Sequence, residues 1–214
     1  MARINVDHET ALAELHDARR DLLKVLETLG PGDWDKPTLC EGWKVRHVVG
    51  HLAHAPDTKL RNSVVGLVKA RGDRESMTDG VACKLAMRPV EEILDHYRRN
   101  VANPTLPPTV SAEQLLAEVV IHSLDICQPN GWELELPADR IRMVLSTLVQ
   151  LGRPLRGKER AEGLHFDTTD IDWRCGCGEH VRGPSRSMLL ALAGRTSACD
   201  QLHGDGVGEL ASRH

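Results

Sequence analysis

The fold is decided by residues 118–125, which read EVVIHSLD. Positions four apart lie on the same face of a helix, so Glu118 and His122 project the same way. The rest of this helix is apolar around nearly its whole circumference, which is typical of a helix at the centre of a core: Leu115, Leu116, Val119, Val120, Ile121, Leu124 and Ile126. A carboxylate and an imidazole buried there need hydrogen bonds, an opposite charge or a metal ion. The stretch therefore predicts either a two-ligand metal clip or a core histidine satisfied by hydrogen bonds.

Length and composition narrow the class of protein. The chain has 214 residues, of which 41% are hydrophobic and 27% charged, and this is enough for one large domain or a domain with a small appendage. A net charge of -4 argues against nucleic-acid or membrane-surface binding, and no apolar run is long enough to span a membrane. The first residues lack an apolar signal region, so we expect a cytoplasmic protein, monomeric or homodimeric, whose six cysteines are thiols rather than disulfides.

Two parts of the chain differ in glycine content and in the spacing of their apolar residues. Apolar residues at helical spacing predict helices in the first part, and a capping box at Ser111–Gln114 begins the central one: 8–29, 44–69 with a break near Pro56, 89–101, 111–128 and 138–151. After about residue 155 glycine is frequent and the helical spacing disappears. There the pattern predicts short elements: two or three strands within 162–182, a helix from Pro184 to Gly194, a strand near 198–202 and a helical turn near 206–211. The predicted fold class is mainly α, with a helical bundle in residues 1–153 and a small α+β domain in residues 154–214.

The third ligand of a metal site would come from the second helix, which carries three histidines. Measured around the helix, His51 lies roughly 60° from the edge of the apolar stripe at Val48. His47 and His54 lie farther round towards solvent. A histidine on such a helix is also commonly a surface residue, so both interpretations remain open at this point.

Together, His51, Glu118 and His122 would form a set of three protein ligands that leaves one position open. That arrangement is usual for a catalytic zinc ion rather than a structural one. Asp125, three residues beyond His122, would orient a ligand imidazole or accept a proton.

Two cysteine-containing stretches compete with this site. Residues 175–180 read CGCGEH, a spacing too tight for a standard zinc finger, and we interpret them as a glycine-rich hairpin tip. Cys40 would be either a reactive thiol near a helix N-terminus or a buried structural cysteine. The sequence contains no phosphate loop, dinucleotide fingerprint or Gly-x-Ser-x-Gly elbow.

With these residues in hand, the chain resembles the mycothiol-dependent maleylpyruvate isomerase family, a branch of the DinB-like metal-binding four-helix proteins found in actinobacteria. The resemblance rests on residues 37–52, on the spacing of residues 118–125, and on the tail from residue 183 to 206. It implies a DinB-like four-helix bundle followed by a small α+β domain. It also implies that His51, Glu118 and His122 bind a divalent metal, usually zinc.

The resemblance further implies a metal-dependent enzyme that uses mycothiol. Such an enzyme would be an isomerase or a thiol S-transferase acting on a small electrophile such as maleylpyruvate. Asp125 is then the predicted catalytic residue, and Arg195 and Arg182 are the predicted contacts for mycothiol, with Arg186 as a further candidate. Two alternatives remain open: a non-catalytic metal- or thiol-binding module, and a thiol-independent metal-assisted hydrolase.

Overall fold

The computed structural model describes residues 8–54, 84–106, 110–153 and 155–213. Its helices follow the predicted order, except that α6 is not predicted, and their described ends differ by a few residues from the predicted ones: α1 (His8–Leu26), α2 (Val45–His54), α3 (Val90–Asn100), α4 (Ala112–Cys127), α5 (Ala138–Leu148), α6 (Gly157–Ala161), α7 (Ser185–Leu192) and α8 (Val207–Ser212). The predicted continuation of the second helix, with its break near Pro56, lies outside the described residues. Among the described helices, none combines the length and apolarity that crossing a membrane requires.

Helix α4 lies at the centre of the bundle, as its apolar circumference predicts. Its N-terminus has the predicted capping box: Ser111 Oγ accepts from the Gln114 N–H, and Gln114 Oε1 accepts from the Ser111 N–H. After its last residue a short 3₁₀ turn leads to Gly131, whose φ of 68° ends the run. Helix α4 contacts α1, α2, α5 and α7, so most of its side chains are buried.

Two buried arginines tie the surrounding helices together. Arg140 of α5 donates to the carboxylates of Glu14 and Asp21 of α1, at 2.7 and 2.8 Å. Arg19 of α1 donates to the backbone carbonyl of Asn100 at the end of α3. Each buried guanidinium therefore has acceptors, and removing one would leave a buried polar group unsatisfied.

The C-terminal part contains a three-stranded sheet. Its strands are β1 (Leu164–Thr168), β2 (Arg174–Gly176) and β3 (Glu179–Gly183), in the order β2-β1-β3. Strand β1 pairs antiparallel with β2 and parallel with β3. Because β1 lies in the middle, the chain between β2 and β3 must pass across one end of β1. We call residues 175–178, which comprise the end of β2 and the two residues that make this passage, the crossing segment.

Two predictions for this part are wrong. Residues 175–180 are not a hairpin tip, since β2 and β3 lie on opposite sides of β1. Residues 198–202 do not form a strand either, because Thr196–Gln201 is a 3₁₀ helix. Its apolar residues Ala198 and Cys199 are buried, and the Ala198 and Leu202 N–H groups bond to carbonyls three residues earlier. Turn hydrogen bonds satisfy this backbone without a partner strand.

The two parts share one hydrophobic core. Helix α7 packs against both α4 and α5, and buried side chains continue from the bundle to the inner face of the sheet, where Leu164, Phe166 and Val181 lie. The mainly α class with a small α+β part is confirmed. The division into domains at residues 153 and 154 stays a prediction.

Candidate functional site

Three side chains from two helices converge where α2 meets α4. His51 comes from α2, and Glu118 and His122 come from α4; one ligand atom from each lies within 4.8 Å of the other two. His51 Nε2 lies 2.7 Å from Glu118 Oε1, and the two imidazole rings are edge to face with centroids 5.0 Å apart. The structure thus brings together the three residues that the sequence predicts as metal ligands.

Local packing explains why His51 faces this cluster. The buried residues of α2 form a stripe that includes Val48 and Leu52, and His51 lies at its margin with 10% of its side chain exposed. Trp43, just before α2, places its ring 5.9 Å from that of His51 in an edge-on contact. Glu118 keeps 29% of its side chain exposed, so the cluster is reachable from outside.

His47 does not join the cluster. Its Nδ1 accepts a hydrogen bond from the backbone N–H of Lys44, at 3.1 Å, at the start of α2. The side chain of His54 lies outside the described part of the structure. The helical phase that separates His51 from His47 in the sequence is therefore the phase found in the fold.

Asp125 is fully buried behind His122. Its Oδ2 lies 2.9 Å from His122 Nδ1. Burial alone would raise the pKa of Asp125, but hydrogen bonds from His122 and Arg195 lower it to about 2, so the group is a carboxylate at neutral pH. Because a carboxylate only accepts, Nδ1 carries the imidazole proton and Nε2 keeps its lone pair. That is the tautomer that a metal-binding histidine with a carboxylate partner adopts.

The guanidinium of Arg195 binds the carboxylate of Asp125. Its Nε donates to Oδ1 at 2.8 Å, and Nη2 donates to Oδ2, so the contact is bidentate. Nη1 donates to the carbonyl of Ala193, at 2.8 Å. Burial lowers the pKa of Arg195, but the Asp125 carboxylate outweighs it and the net shift is upward. Arg195 therefore reaches the cluster from the C-terminal part of the chain, through Asp125.

The structure does not bring the other two candidate arginines to the cluster. Arg182 lies on β3 with 66% of its side chain exposed, 3.8 Å from the Asp167 carboxylate. Arg186 donates to the carbonyl of Leu134, at 2.9 Å. Sequence position alone does not separate these residues from Arg195, because all three follow one another within the same small α+β part.

Cys40 lies beside Asp125 and Arg195. The sequence alone does not decide whether it is a reactive thiol or a buried structural cysteine. Its Sγ lies 3.1 Å from Asp125 Oδ2 and 3.4 Å from Arg195 Nη2. Burial, and next the negative charge of Asp125, raise the pKa of Cys40 to about 12, so this thiol stays protonated and donates to the carboxylate. The backbone also brings the loop here, since the Leu39 N–H donates to the Asp125 carbonyl at 3.1 Å.

The protonation states of Glu118 and His122 suit a metal ion. Burial would raise the pKa of Glu118, but the hydrogen bond from His51 and nearby positive charge outweigh it, and the pKa falls below its ordinary value. Burial lowers the pKa of His122, against the opposing effect of Asp125. A carboxylate at Glu118 and a neutral imidazole at His122 are the states that metal binding requires. Two nitrogens and one oxygen from three residues fit the ligand set of a catalytic zinc site.

Fold and site together define a helical bundle that carries a His-Glu-His set of potential metal ligands, completed by an arginine from an appended α+β part. Residues 15–127 match the family model described as the mycothiol maleylpyruvate isomerase N-terminal domain. This match covers more than half of the chain, and the chain belongs to that family.

Solved structures agree in fold. A crystal structure of the mycothiol-dependent maleylpyruvate isomerase superposes with a TM-score of 0.64 at 16% identity, covering 96% of this chain and 95% of that one. A crystal structure of a histidine-to-alanine mutant of the mycothiol-dependent maleylpyruvate isomerase gives a TM-score of 0.63 at 15% identity, with the same coverage. At these identities the likeness concerns the fold alone. Among curated proteins, none matches the chain significantly.

Proposed function

We propose that the chain is a metal-dependent enzyme that uses mycothiol on a small electrophile such as maleylpyruvate, by isomerisation or by thiol transfer. The observation that carries the proposal is the His51, Glu118 and His122 cluster, whose ligand atoms lie within 4.8 Å of one another. Membership of a family named for a mycothiol-dependent isomerase supplies the thiol and the substrate class.

His51, Glu118 and His122 would hold the divalent metal, and their donor types favour zinc. Bound there with an open position, the metal would lower the pKa of an incoming thiol, which is about 8.5 when free, so that a thiolate is available at pH 7. A thiolate that adds to a carbon–carbon double bond leaves a single bond that can rotate. Release of the thiol after rotation gives the isomer, and retention gives the transfer product.

Asp125, held by Arg195, would act on the metal ligand His122 rather than on the substrate. Asp125 is fully buried and its two oxygens accept from His122, Arg195 and Cys40, which supports a positioning role. Its carboxylate keeps the proton of His122 on Nδ1 and thereby keeps Nε2 free for the metal. We therefore narrow the catalytic role predicted for Asp125 to the orientation of His122.

Arg195 keeps 18% of its side chain exposed beside this network. We propose that this exposed edge attracts an acidic group of mycothiol or of the substrate by its positive charge, since Nε and Nη2 already bind Asp125 in the bidentate geometry. Arg182 has no role in this reaction, because its side chain lies beside Asp167 and its backbone pairs with that of His203.

The experiment uses the full chain loaded with Co²⁺ in place of zinc. Adding mycothiol should produce a sulfur-to-metal charge-transfer band, and calorimetry in buffers of different ionisation enthalpy should count close to one proton released per site near pH 7. The loaded protein with mycothiol should turn over maleylpyruvate. His122→Ala is the matched negative control.

The outcomes separate the alternatives. Binding of mycothiol through sulfur without turnover of any electrophile would favour a non-catalytic module. Turnover of an ester or amide without a thiol would favour metal-assisted hydrolysis. Absence of both the charge-transfer band and the released proton would overturn the thiol-dependent proposal.

A further inference from the structure

Two cysteines in the crossing segment lie outside the site described above. Cys175 is partly buried and Cys177 is exposed, and both are free thiols. A single glycine, Gly176, separates them. In the register of the sheet, Cys175 lies opposite Phe166, whose ring is buried, whereas Cys177 follows the end of β2.

The backbone of the crossing segment is closely packed and turned. Gly176 has a φ of 84° and Gly178 a φ of 129°. A Cβ on Gly176 would lie 2.1 Å from the carbonyl oxygen of Leu164, and one on Gly178 would lie 1.9 Å from that of Gly163. No other residue type fits these two positions without backbone movement. The two thiols are therefore held on a fixed turn around the start of β1.

The spacing of the two cysteines, two positions apart, limits how far apart their Cα atoms can lie. Two residues of fully extended chain span at most about 7 Å between Cα atoms. Gly176, at a φ of 84°, is not extended, so the Cys175 and Cys177 Cα atoms are closer than that limit. A disulfide needs Cα atoms about 4.4–6.8 Å apart. Ring closure therefore asks for rotation of side chains and a small backbone adjustment rather than for unfolding.

We infer that Cys175 and Cys177 form a thiol–disulfide exchange pair whose oxidant is the disulfide of a low-molecular-weight thiol. The Cys177 thiolate attacks one sulfur of the small disulfide, which breaks its S–S bond, forms a mixed disulfide and releases one small thiolate that takes up a proton. Cys175 then loses its proton and attacks the Cys177 sulfur, which forms the protein disulfide and releases the second small thiol. Two electrons pass from the protein dithiol to the small disulfide, so the reaction balances.

The surroundings assign the order of attack. Cys177 is exposed and reaches solvent. Burial raises the pKa of Cys175, so this thiol attacks only after the mixed disulfide has formed on Cys177. A cavity of about 430 Å³ lies against both cysteines and is also lined by the charged residues Lys158, Glu159 and Glu162. It offers room beside the sulfurs for a small disulfide.

A metal site is the competing explanation for two cysteines this close. Within residues 8–54, 84–106, 110–153 and 155–213, neither cysteine belongs to a group of three ligands whose atoms lie close together. Two thiolates alone do not make a structural zinc site, which needs four ligands. Exchange chemistry needs only the two sulfurs.

The test uses the full-length reduced chain carrying Cys83→Ser, which removes a cysteine outside the described residues. The probe is an excess of glutathione disulfide, followed by intact mass and by peptide mapping after alkylation. The expected product has lost two hydrogens, carries no glutathionyl group, and contains a Cys175–Cys177 disulfide that dithiothreitol reverses. Two equivalents of glutathione are released per chain.

Single variants identify the two roles. Cys175→Ser should stop at a stable glutathionyl adduct on Cys177, and Cys177→Ser should react much more slowly and form no disulfide. Cys199→Ser, which removes a buried thiol elsewhere, should behave like the parent and serves as the matched control. A stable adduct on the parent, loss of two hydrogens from the Cys177→Ser variant, or no release of glutathione would overturn the inference.

Discussion

Two histidine pairs in this molecule look alike at first and differ in what surrounds them. The rings of His51 and His122 are 5.0 Å apart, and those of His165 and His180 are 4.7 Å apart. The first pair lies between α2 and α4 with the carboxylate of Glu118 between its members. The second lies on the outer face of the sheet, where His180 is exposed and His165 Nδ1 donates to the carbonyl of Gly176 at 3.0 Å.

This comparison shows that two imidazoles lying close together are not sufficient for a metal-binding site. His122 has a buried carboxylate that fixes its tautomer, and that carboxylate has its own bidentate arginine. His165 Nδ1 donates a hydrogen bond to a backbone carbonyl. Neither His165 nor His180 belongs to a three-ligand group among the described residues. Fixed orientation and a third donor separate a candidate site from a surface contact.

An alanine substitution in each histidine pair should change zinc affinity by very different amounts. His122→Ala should lower the affinity of the chain for zinc by more than about 100-fold, since it removes a ligand rather than one of its outer partners. His180→Ala should leave zinc affinity unchanged. Competition with a chelator of known affinity measures both. Equal losses in the two variants would mean that the sheet pair also binds the metal.

The next effect concerns the carboxylate behind the ligand. Asp125→Asn should weaken zinc binding about 10- to 100-fold, because the amide no longer fixes the His122 proton on Nδ1. Asp167→Asn, on the outer face of the sheet, is the control and should have no effect on zinc binding. Unchanged affinity in Asp125→Asn would show that the tautomer of His122 does not depend on this contact.

The same carboxylate predicts a pH dependence of stability in the metal-free protein. The pKa of Asp125 is lowered to about 2, below its ordinary value, so its ionised form stabilises the fold above the unfolded pKa and this contribution is lost as the pH falls towards 2. The difference in unfolding free energy between the parent and Asp125→Asn should therefore include a part of about 2 kcal/mol at pH 7 that shrinks between pH 5 and 2. Urea unfolding at several pH values measures it. A difference that stays constant across that range would contradict the assigned ion pair.

A smaller effect is expected in the crossing segment. Gly178→Ala places a Cβ 1.9 Å from the Gly163 carbonyl oxygen at a φ of 129°, and should destabilise the fold by roughly 1–3 kcal/mol. Gly208→Ala is the matched control, because nothing lies within 4 Å of its added Cβ and the position is helical. Thermal or urea unfolding compares them. Equal stability of the two variants would mean that the turn around β1 is not tightly constrained.

The smallest effect tests the helical phase of α2. His47→Ala should leave zinc affinity unchanged and should cost up to about 1 kcal/mol of stability, because it removes the acceptor for the Lys44 N–H at the helix start. A loss of zinc binding in this variant would contradict the placement of His47 outside the cluster.

Local patterns were sufficient for much of the fold. The start of α4 follows from side-chain to backbone bonds within Ser111–Gln114, and the choice of His51 over His47 follows from helical angles; neither needs distant contacts. The order of the strands did not follow, since the position of β1 between β2 and β3 depends on which edge the chain crosses. The strand predicted near 198–202 failed because its apolar residues also suit the turns of a 3₁₀ helix.

Long-range contacts set the limits of prediction at the site. Cys40 and Asp125 are 85 positions apart, and Cys40 and Arg195 are 155 apart. No spacing rule links such residues, so the sequence predicts Arg195 and Arg182 alike as contacts for mycothiol and does not show which of them reaches the site. Helical spacing and the resemblance to a family both indicate the ligand set, but only packing shows that Arg195 reaches Asp125.

The bond between Asp125 and Arg195 also has a consequence during synthesis. Seventy residues separate the two, and a ribosome needs roughly 4–14 s to add that many at about 5–20 residues per second. During this interval the growing chain already contains His51, Glu118 and His122, whereas Asp125 has not met its guanidinium. A metal ion bound during this interval would be coordinated by His122 while Asp125 still lacks Arg195. The affinity of the site for the metal should therefore rise only when the last part of the chain has left the ribosome.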